Sequence, residues 1–310
     1  MVGNGQILAG TYGQHPAPGW AGVGTTTLRD LTSVTPTDTG LLLDHHSLFL
    51  VTVGRGSHEI DFRTYPCRPG TLLWARPGQV ARYLNQPDLD AVIVCWDPQL
   101  SLQATANGAD VDPTGPTRWQ LAGEDEDAVI TEVSQLVVDC SRHRSGELAA
   151  DLLRQQLAVL LLRISLLPSG DRETTGSQTY QRMRQEVERS YDQTRRVEDY
   201  AERLNCSVRT LTRACLAATG RSAKQIIDDR VALQAMRLLA ASDVSVAEIG
   251  RYLGFSEPTN FGRFFHREVG CSPGAFRSRL RRPAPSRIPA PRRPAGIAAP
   301  VSPATGQLLR

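Results

Sequence analysis

The chain has 310 residues, of which 40% are apolar and 22% charged, and a net charge of +3. That length predicts roughly two domains of ordinary size and excludes a disulfide mini-protein, a coiled-coil rod and a wholly disordered chain. The small net charge conceals an asymmetry. Residues 1–171 carry 11 arginines against 19 acidic residues, and 172–310 carry 24 basic residues against 13 acidic ones, so only the second half is suited to meet a polyanion.

In chain order, residues 1–40 are rich in Gly, Thr and Pro and show no clear period. Short β-like runs follow at 47–53, 58–63, 71–75, 80–83 and 91–96. Turns at Gly54-Arg55-Gly56, Arg68-Pro69-Gly70 and Arg76-Pro77-Gly78 separate them. Strands at this spacing predict a sandwich or small barrel. Helices are expected over 124–144 and 147–167. The second carries Leu148, Leu152, Leu153, Leu157, Leu160, Leu161 and Ile164, a wide apolar stripe at helical period. Both helices are candidates for self-association.

The longest apolar stretch, 157–167, is cut by Arg163 and falls short of the roughly 18 residues of a membrane span. The start, Met1-Val2-Gly3-Asn4-Gly5, lacks the basic and apolar regions of a signal peptide. A soluble cytoplasmic protein with no membrane partner is expected. Cys67, Cys95, Cys140, Cys206, Cys215 and Cys271 are scattered without a C-x-x-C pair. They read as reduced thiols rather than a zinc site or disulfide framework.

The polar stretch 168–176 is the expected linker between an amino-terminal domain, 1–167, and a helical domain, 177–282. The Pro/Arg-rich tail, 283–310, is expected to be disordered because it cannot bury enough apolar surface to offset its ordering entropy.

The helical domain contains one pattern twice. Ala201-Glu202-Arg203-Leu204-Asn205-Cys206-Ser207 aligns with Gly250-Arg251-Tyr252-Leu253-Gly254-Phe255-Ser256 at an offset of 49. One extra residue in the second copy then pairs Leu211 with Phe261, Arg213 with Arg263 and Gly220 with Gly270. Each copy predicts helix, tight turn, helix. A small residue, Ala201 or Gly250, sits where two helices approach. Asn205 or Gly254 takes a left-handed turn position, and Ser207 or Ser256 is placed to cap the next helix. Leu211 and Phe261 are expected to point inward, Arg213 and Arg263 outward.

The segment between the copies, 222–241, is apolar around much of its circumference through Ile226, Ile227, Val231, Leu233, Met236, Leu238 and Leu239. A helix of that length spans about 30 Å. Successive major-groove faces of B-DNA lie roughly 34 Å apart. One chain can thus present two recognition helices to one face of a duplex.

The segment Ser245-Val246-Ala247-Glu248-Ile249-Gly250-Arg251-Tyr252-Leu253-Gly254-Phe255-Ser256-Glu257-Pro258-Thr259-Asn260-Phe261-Gly262-Arg263-Phe264-Phe265-His266-Arg267, continuing to Arg277, closely resembles the signature of AraC/XylS-type transcription regulators. The resemblance covers roughly 177–282. It implies an α+β multidomain protein: an amino-terminal cupin-like β-barrel with helices, and a carboxy-terminal all-α domain of seven helices with two helix-turn-helix units. It also implies double-stranded promoter DNA as partner, a small-molecule effector, a homodimer formed through a helix and, for an activator, RNA polymerase. Cys215 departs from the pattern, since a large aromatic is usual there. The first unit is therefore either less tightly packed or filled by other side chains.

By position, the resemblance puts base contacts at Arg209, Thr212 and Arg213 in the first recognition helix and at Thr259, Asn260 and Arg263 in the second. The chemistry fits: Arg bridges guanine O6/N7, Asn suits adenine N6/N7 and Thr suits a thymine methyl. Ser207, Thr210, Ser256, Arg267 and Arg277 are candidates for phosphate contacts, which position a protein without reading sequence. Phe255, Phe261, Phe264, Phe265 and Phe276 are expected in the core. Catalytic cupins hold metal with His-x-His. Here His45 and His46 are adjacent and would face opposite sides of a strand, so no metal, cofactor or catalytic residue is expected. Phe49, His58, Trp74, Tyr83 and Trp96 either line an effector pocket or form plain core. Two alternatives remain at this level. A DNA-repair enzyme carrying such a module would need a cysteine cluster and an activated acceptor cysteine, for which only Cys67 stands available. A non-DNA-binding interaction protein would have no need of the outward arginines.

Overall fold

The computed structural model describes residues 19, 21–34, 40–83, 86, 88–100, 115–168 and 177–281. The expected linker, apart from Pro168, and the expected disordered tail lie outside the described residues.

Two antiparallel sheets build the amino-terminal half. The first contains β1 (Val23–Thr27), β3 (His46–Val53), β6 (Thr71–Ala75), β8 (Asp90–Trp96) and β9 (Arg118–Gln120), in the order β1-β8-β3-β6-β9. The second contains β2 (Gly40–Leu42), β4 (Gly56–Ile60), β5 (Arg63–Cys67) and β7 (Val80–Arg82), in the order β2-β7-β4-β5. β3 is buried at six consecutive positions because both its faces are covered. Phe49 and Val51 enter the cluster shared by the two sheets. Leu48 and Leu50 enter the cluster shared with helices α2 (Glu124–Arg142) and α3 (Glu147–Leu166). A strand covered on both sides reads as a continuous apolar run rather than an alternating one. Within the second cluster Leu153, Leu157, Leu160 and Ile164 of α3 are buried, each stabilising the packing by about 1.5–3 kcal/mol.

The structure differs from the sequence reading in one strand and adds elements at two places where no element was expected. The aperiodic stretch 1–40 contributes β1 and a short helix, α1 (Leu28–Val34). The run 58–63 is not one strand: β4 ends at Ile60, Asp61 and Phe62 turn with positive φ of 50° and 64°, and β5 begins at Arg63. β9 also went unread, being only three residues long at the sheet edge.

The carboxy-terminal half consists of α4 (Gln178–Ser190), α5 (Val197–Arg203), α6 (Val208–Thr219), α7 (Ala223–Ala241), α8 (Val246–Tyr252), α9 (Pro258–Val269) and α10 (Pro273–Arg281). These are the seven helices the resemblance implies. Their shared core includes Tyr200, Leu211, Val231, Leu238, Phe261, Phe265 and Phe276. All five of the Phe residues expected in the core are buried. Cys215 is fully buried in the same cluster as Tyr180, Met183 and Val187 of α4, so other side chains fill the space of the missing aromatic. Helix α7 runs through the middle and starts in a reciprocal cap. The Ser222 side chain accepts from the Gln225 backbone, and the Gln225 side chain accepts from the Ser222 backbone.

Candidate nucleic-acid interface

The two bihelical units close in the same way. In the first, the Cys206 N–H donates to the Ala201 carbonyl and the Asn205 N–H to the Glu202 carbonyl, both at 3.0 Å. In the second, Phe255 donates to Gly250 at 2.9 Å and Gly254 to Arg251 at 3.0 Å. Asn205 (φ 52°) and Gly254 (φ 76°) hold the left-handed position between the helices. This pair of bonds with a left-handed residue is a helix stop that satisfies the last carbonyls. It fixes the angle at which α6 leaves α5 and α9 leaves α8.

The starts of the recognition helices differ. Ser207 caps α6, its hydroxyl accepting from the Thr210 N–H at 3.1 Å and lying 2.9 Å from the Thr210 hydroxyl. Ser256, expected to cap α9, does not. Glu257 is the cap residue, without a side-chain bond, and Pro258 opens the helix. Proline has no N–H to be capped and its fixed φ suits the first helical position, so the extra residue of the second copy moves the helix start by one.

Arg209 and Arg213 on α6 are exposed, as are Thr259, Asn260 and Arg263 on α9; Thr212 and Thr210 are half-buried. Leu211 and Phe261 are wholly buried. Each recognition helix thus anchors through one side chain and presents a guanidinium two residues later. Ser207 and Ser256 are exposed. The other two phosphate-contact candidates have protein partners. Arg267 is exposed and donates to Glu268 at 2.7 Å and to Asp228 at 3.5 Å. Arg277 is half-buried and donates to the carbonyls of Leu239 at 3.3 Å and Val244 at 2.5 Å.

Sequence reasoning missed two charged residues in α7. Asp228 is buried and bonds Lys224 at 2.5 Å as well as Arg267, tying α7 to α9. Arg237 is buried and pairs with Asp61 of the amino-terminal half. A buried charge must be paired to be tolerated. Little in the sequence signalled them, because α7 also carries Lys224, Asp229 and Arg230 and nothing local distinguishes the charges that find a buried partner.

The rings weighed as effector-pocket candidates fall in two layers. Phe49, His58 and Tyr83 meet between the sheets, with ring centroids 4.6 Å and 5.1 Å apart. Trp74 and Trp96 lie on the helix-covered face, where His46 stacks on Trp96 at 4.9 Å and accepts from the Trp74 indole N–H at 3.2 Å. Burial pushes both His46 and His58 down to about 4, so both rings are neutral at pH 7. Burial pushes the Cys67 thiol up to about 11, the opposite of an activated acceptor. Among the described residues, no group of three or more His, Cys, Asp or Glu could hold a metal ion, and no helix is long and apolar enough to cross a membrane.

Two family models match the chain. One described as a helix-turn-helix domain covers residues 200–279, and one described as an AraC-like ligand binding domain covers residues 42–158. Curated relatives include the HTH-type transcriptional activator RhaR of Enterobacter sp. (strain 638), 26% identical over 242 residues, spanning 76% of this chain and 86% of RhaR. The transcriptional activator RhaS of Shigella boydii serotype 18 is 25% identical over 245 residues, spanning 76% of this chain and 85% of RhaS. Among solved structures, the DNA-binding domain of AdpA in complex with a target DNA is 34% identical. It covers 33% of this chain and 92% of its own, with a TM-score of 0.31. ToxT from Vibrio cholerae O395 is 12% identical, covers 84% of this chain and 98% of its own, and has a TM-score of 0.43.

Proposed function

This chain belongs to the AraC family of transcription regulators, and we propose that it is a cytoplasmic activator that reads promoter DNA with α6 and α9 as a homodimer. The carrying observation is the shared construction of the two recognition helices: a buried Leu211 or Phe261 anchors each, and Arg213 or Arg263 stands exposed two residues on. Arg209, Thr212 and Arg213 read one groove segment; Thr259, Asn260 and Arg263 read the next. Ser207, Thr210, Ser256 and Arg267 face phosphates, and Arg277, whose guanidinium serves two backbone carbonyls, adds a weaker phosphate contact. α7, with 19 residues, spans about 28 Å, which suits successive groove faces. The relatives named activators support the sign of regulation, and with it a contact to RNA polymerase. The match of residues 42–158 to a ligand-binding model supports a small organic effector in the amino-terminal half.

The dimer rests on α3. Leu148, Leu152, Val159, Leu162 and Leu166 of this helix are exposed, Leu148 and Leu166 by 87% and 85%. With the exposed Gln155 they fall at intervals of four, three, four, three and four residues, the apolar seam of a coiled coil. The seam is self-complementary when run antiparallel. Leu148 then meets Leu166 of the partner subunit, Leu152 meets Leu162 of the partner subunit, and Gln155 meets Val159 of the partner subunit. A two-fold interface requires this kind of self-complementarity.

The test of DNA reading is a binding titration on promoter fragments selected from the host genome, at two or more salt concentrations. Affinity falls steeply with salt. Arg213→Ala and Arg263→Ala each cost about 1–3 kcal/mol on the selected site and less on random DNA. Equal losses on both DNAs would falsify the base-reading assignment.

A further inference from the structure

The tip of the β4–β5 hairpin grips the helical half. The Asp61 carboxylate receives two bonds from Arg237 of α7, Nε at 2.8 Å and Nη2 at 2.6 Å. It also accepts the Val80 N–H at 3.0 Å and the Gln79 amide at 2.7 Å. Only 12% of the Asp61 side chain and 9% of the Arg237 side chain are exposed. Four donors occupy the carboxylate's acceptor sites, in the bidentate geometry that makes such pairs directional. Next to it, Phe62 meets Phe276 of α10 with ring centroids 5.4 Å apart, and Phe276 meets Phe265 of α9 at 5.6 Å. A continuous line of contacts therefore runs from the hairpin tip into the second recognition unit.

The turn itself is unusual. Two successive positive-φ residues in a hairpin ordinarily call for Asn-Gly or Asp-Gly, yet Phe62 stands in the second position at φ 64°. A bulky residue there stores strain that must be offset by its surroundings. Here the offset comes from the other half of the chain, because Phe62 packs against the helical core. α7 also lies against β2 and β7, so the hairpin tip is the centre of a wider contact.

We propose that this tip is a clasp that makes the sandwich and the DNA-reading helices one rigid body, and that Asp61 and Phe62 are positioning residues for the spacing between paired sites. They act through Arg237 and Phe276. By fixing α3 relative to α6 and α9, they fix the spacing at which a dimer accepts paired sites. The spacing consequence rests on the α3 dimer proposed above; the rigid coupling does not.

The test uses the full chain and DNA carrying two copies of the bound site, separated by inserts of 0, 5 and 10 base pairs. An insert of about 5 base pairs is half a helical turn. The wild type prefers one spacing over its half-turn neighbour by about tenfold or more. Asp61→Ala and Phe62→Gly reduce that preference to about threefold or less while binding a single site as before; glycine keeps the left-handed turn and removes only the ring. Arg237→Ala, which removes the same pair from the helical side and leaves the Val80 and Gln79 donors on Asp61, reduces the preference to the same extent, which a turn merely destabilised at Asp61 would not explain. A spacing preference in Asp61→Ala and Phe62→Gly equal to the wild type overturns the clasp. Should light scattering show the wild type to be a monomer, the dimer reading fails and the clasp is judged by small-angle X-ray scattering. A wild-type profile of one compact shape that broadens in both variants supports it, and identical profiles in all three overturn it.

Discussion

Gly250 lies so close to Phe261 that a Cβ on the glycine would stand 3.0 Å from the phenylalanine Cβ and 3.1 Å from its Cγ. This contact sets how near α8 and α9 approach. The corresponding position in the first unit is Ala201, opposite the smaller Leu211 in the alignment. Phe261 cannot yield easily, since its ring is held between Phe255 and Phe265, with centroids 5.3 Å and 6.0 Å away.

Gly250→Ala is therefore expected to destabilise the helical half by about 1–3 kcal/mol through overpacking, although alanine is the better helix former. The reverse change, Ala201→Gly, costs only about 1 kcal/mol of helix propensity. Urea unfolding of the two variants side by side measures the asymmetry. A Gly250→Ala protein as stable as the wild type would mean that the helices part freely and that the unit tolerates other angles.

Arg277 closes the far end of α7. Its guanidinium serves the carbonyls of Leu239 and Val244, which lie at and just beyond the helix C-terminus, where unsatisfied carbonyls accumulate. Arg277→Ala is expected to lose about 1–3 kcal/mol of stability, the cost of leaving the carbonyls of buried Leu239 and half-buried Val244 without their charged donor. Its loss of DNA affinity, measured at a temperature where the variant stays folded, should be smaller than that of Arg267→Ala. The opposite ranking would make Arg277 chiefly a phosphate contact and leave the carbonyl bonds secondary.

What was legible in the sequence follows from the range of the interactions involved. Helices α2, α3 and α7 declared themselves through period, and the two bihelical units through small residues, turn residues and the inward–outward alternation of Leu211/Arg213 and Phe261/Arg263. All of these are local. The start of α9 was misplaced by one residue because Ser256 has the chemistry of a cap, whereas Pro258 removes the need for one. The Asp61–Phe62 turn was read through as strand because Phe62, unlike the glycine usual after Asp in such a turn, does not make a positive φ cheap. Its stability comes from Arg237, 176 residues away, and no local pattern carries that information. The effector-pocket candidates illustrate the same limit. Aromatic type alone could not say that Phe49 and Tyr83 lie between the sheets while Trp74 and Trp96 lie outside them.

Acid should weaken the amino-terminal half through its buried histidines. His46 and His58 are held neutral by burial, near a pKa of about 4 against 6.5 in an ordinary setting. The Trp74 indole N–H donating to His46 Nδ1 further fixes the neutral ring. The unfolded chain binds these protons between pH 6.5 and about 4, and the folded chain does not. Stability is therefore complete above pH 6.5 and declines as the pH falls towards 4, by about 1.4 kcal/mol per pH unit for each histidine. In His58→Phe the slope in that window should shrink by roughly one proton's worth, on the order of 1.4 kcal/mol per unit. Urea midpoints at pH 7, 6 and 5 provide the comparison, and an unchanged slope would show that His58 takes up its proton in the fold.

The exposed seam of α3 predicts a separation between assembly and folding. Leu152 and Leu162 are 41% and 40% exposed, so replacing either with Glu removes little packing within one chain. In the antiparallel pairing these two positions face each other across the two-fold axis, and a Leu152→Glu chain puts a carboxylate against Leu162 of the partner subunit, twice per dimer. Burying an unpaired carboxylate costs several kcal/mol, and the dimer would bury two. Sedimentation velocity should then find a monomer that melts near the wild-type temperature. Affinity for one copy of the site should be retained, and cooperative occupation of two copies lost. A Leu152→Glu protein that still sediments as a dimer would move the interface to another face, with the exposed Ile130 and Val138 of α2 the next surface to substitute.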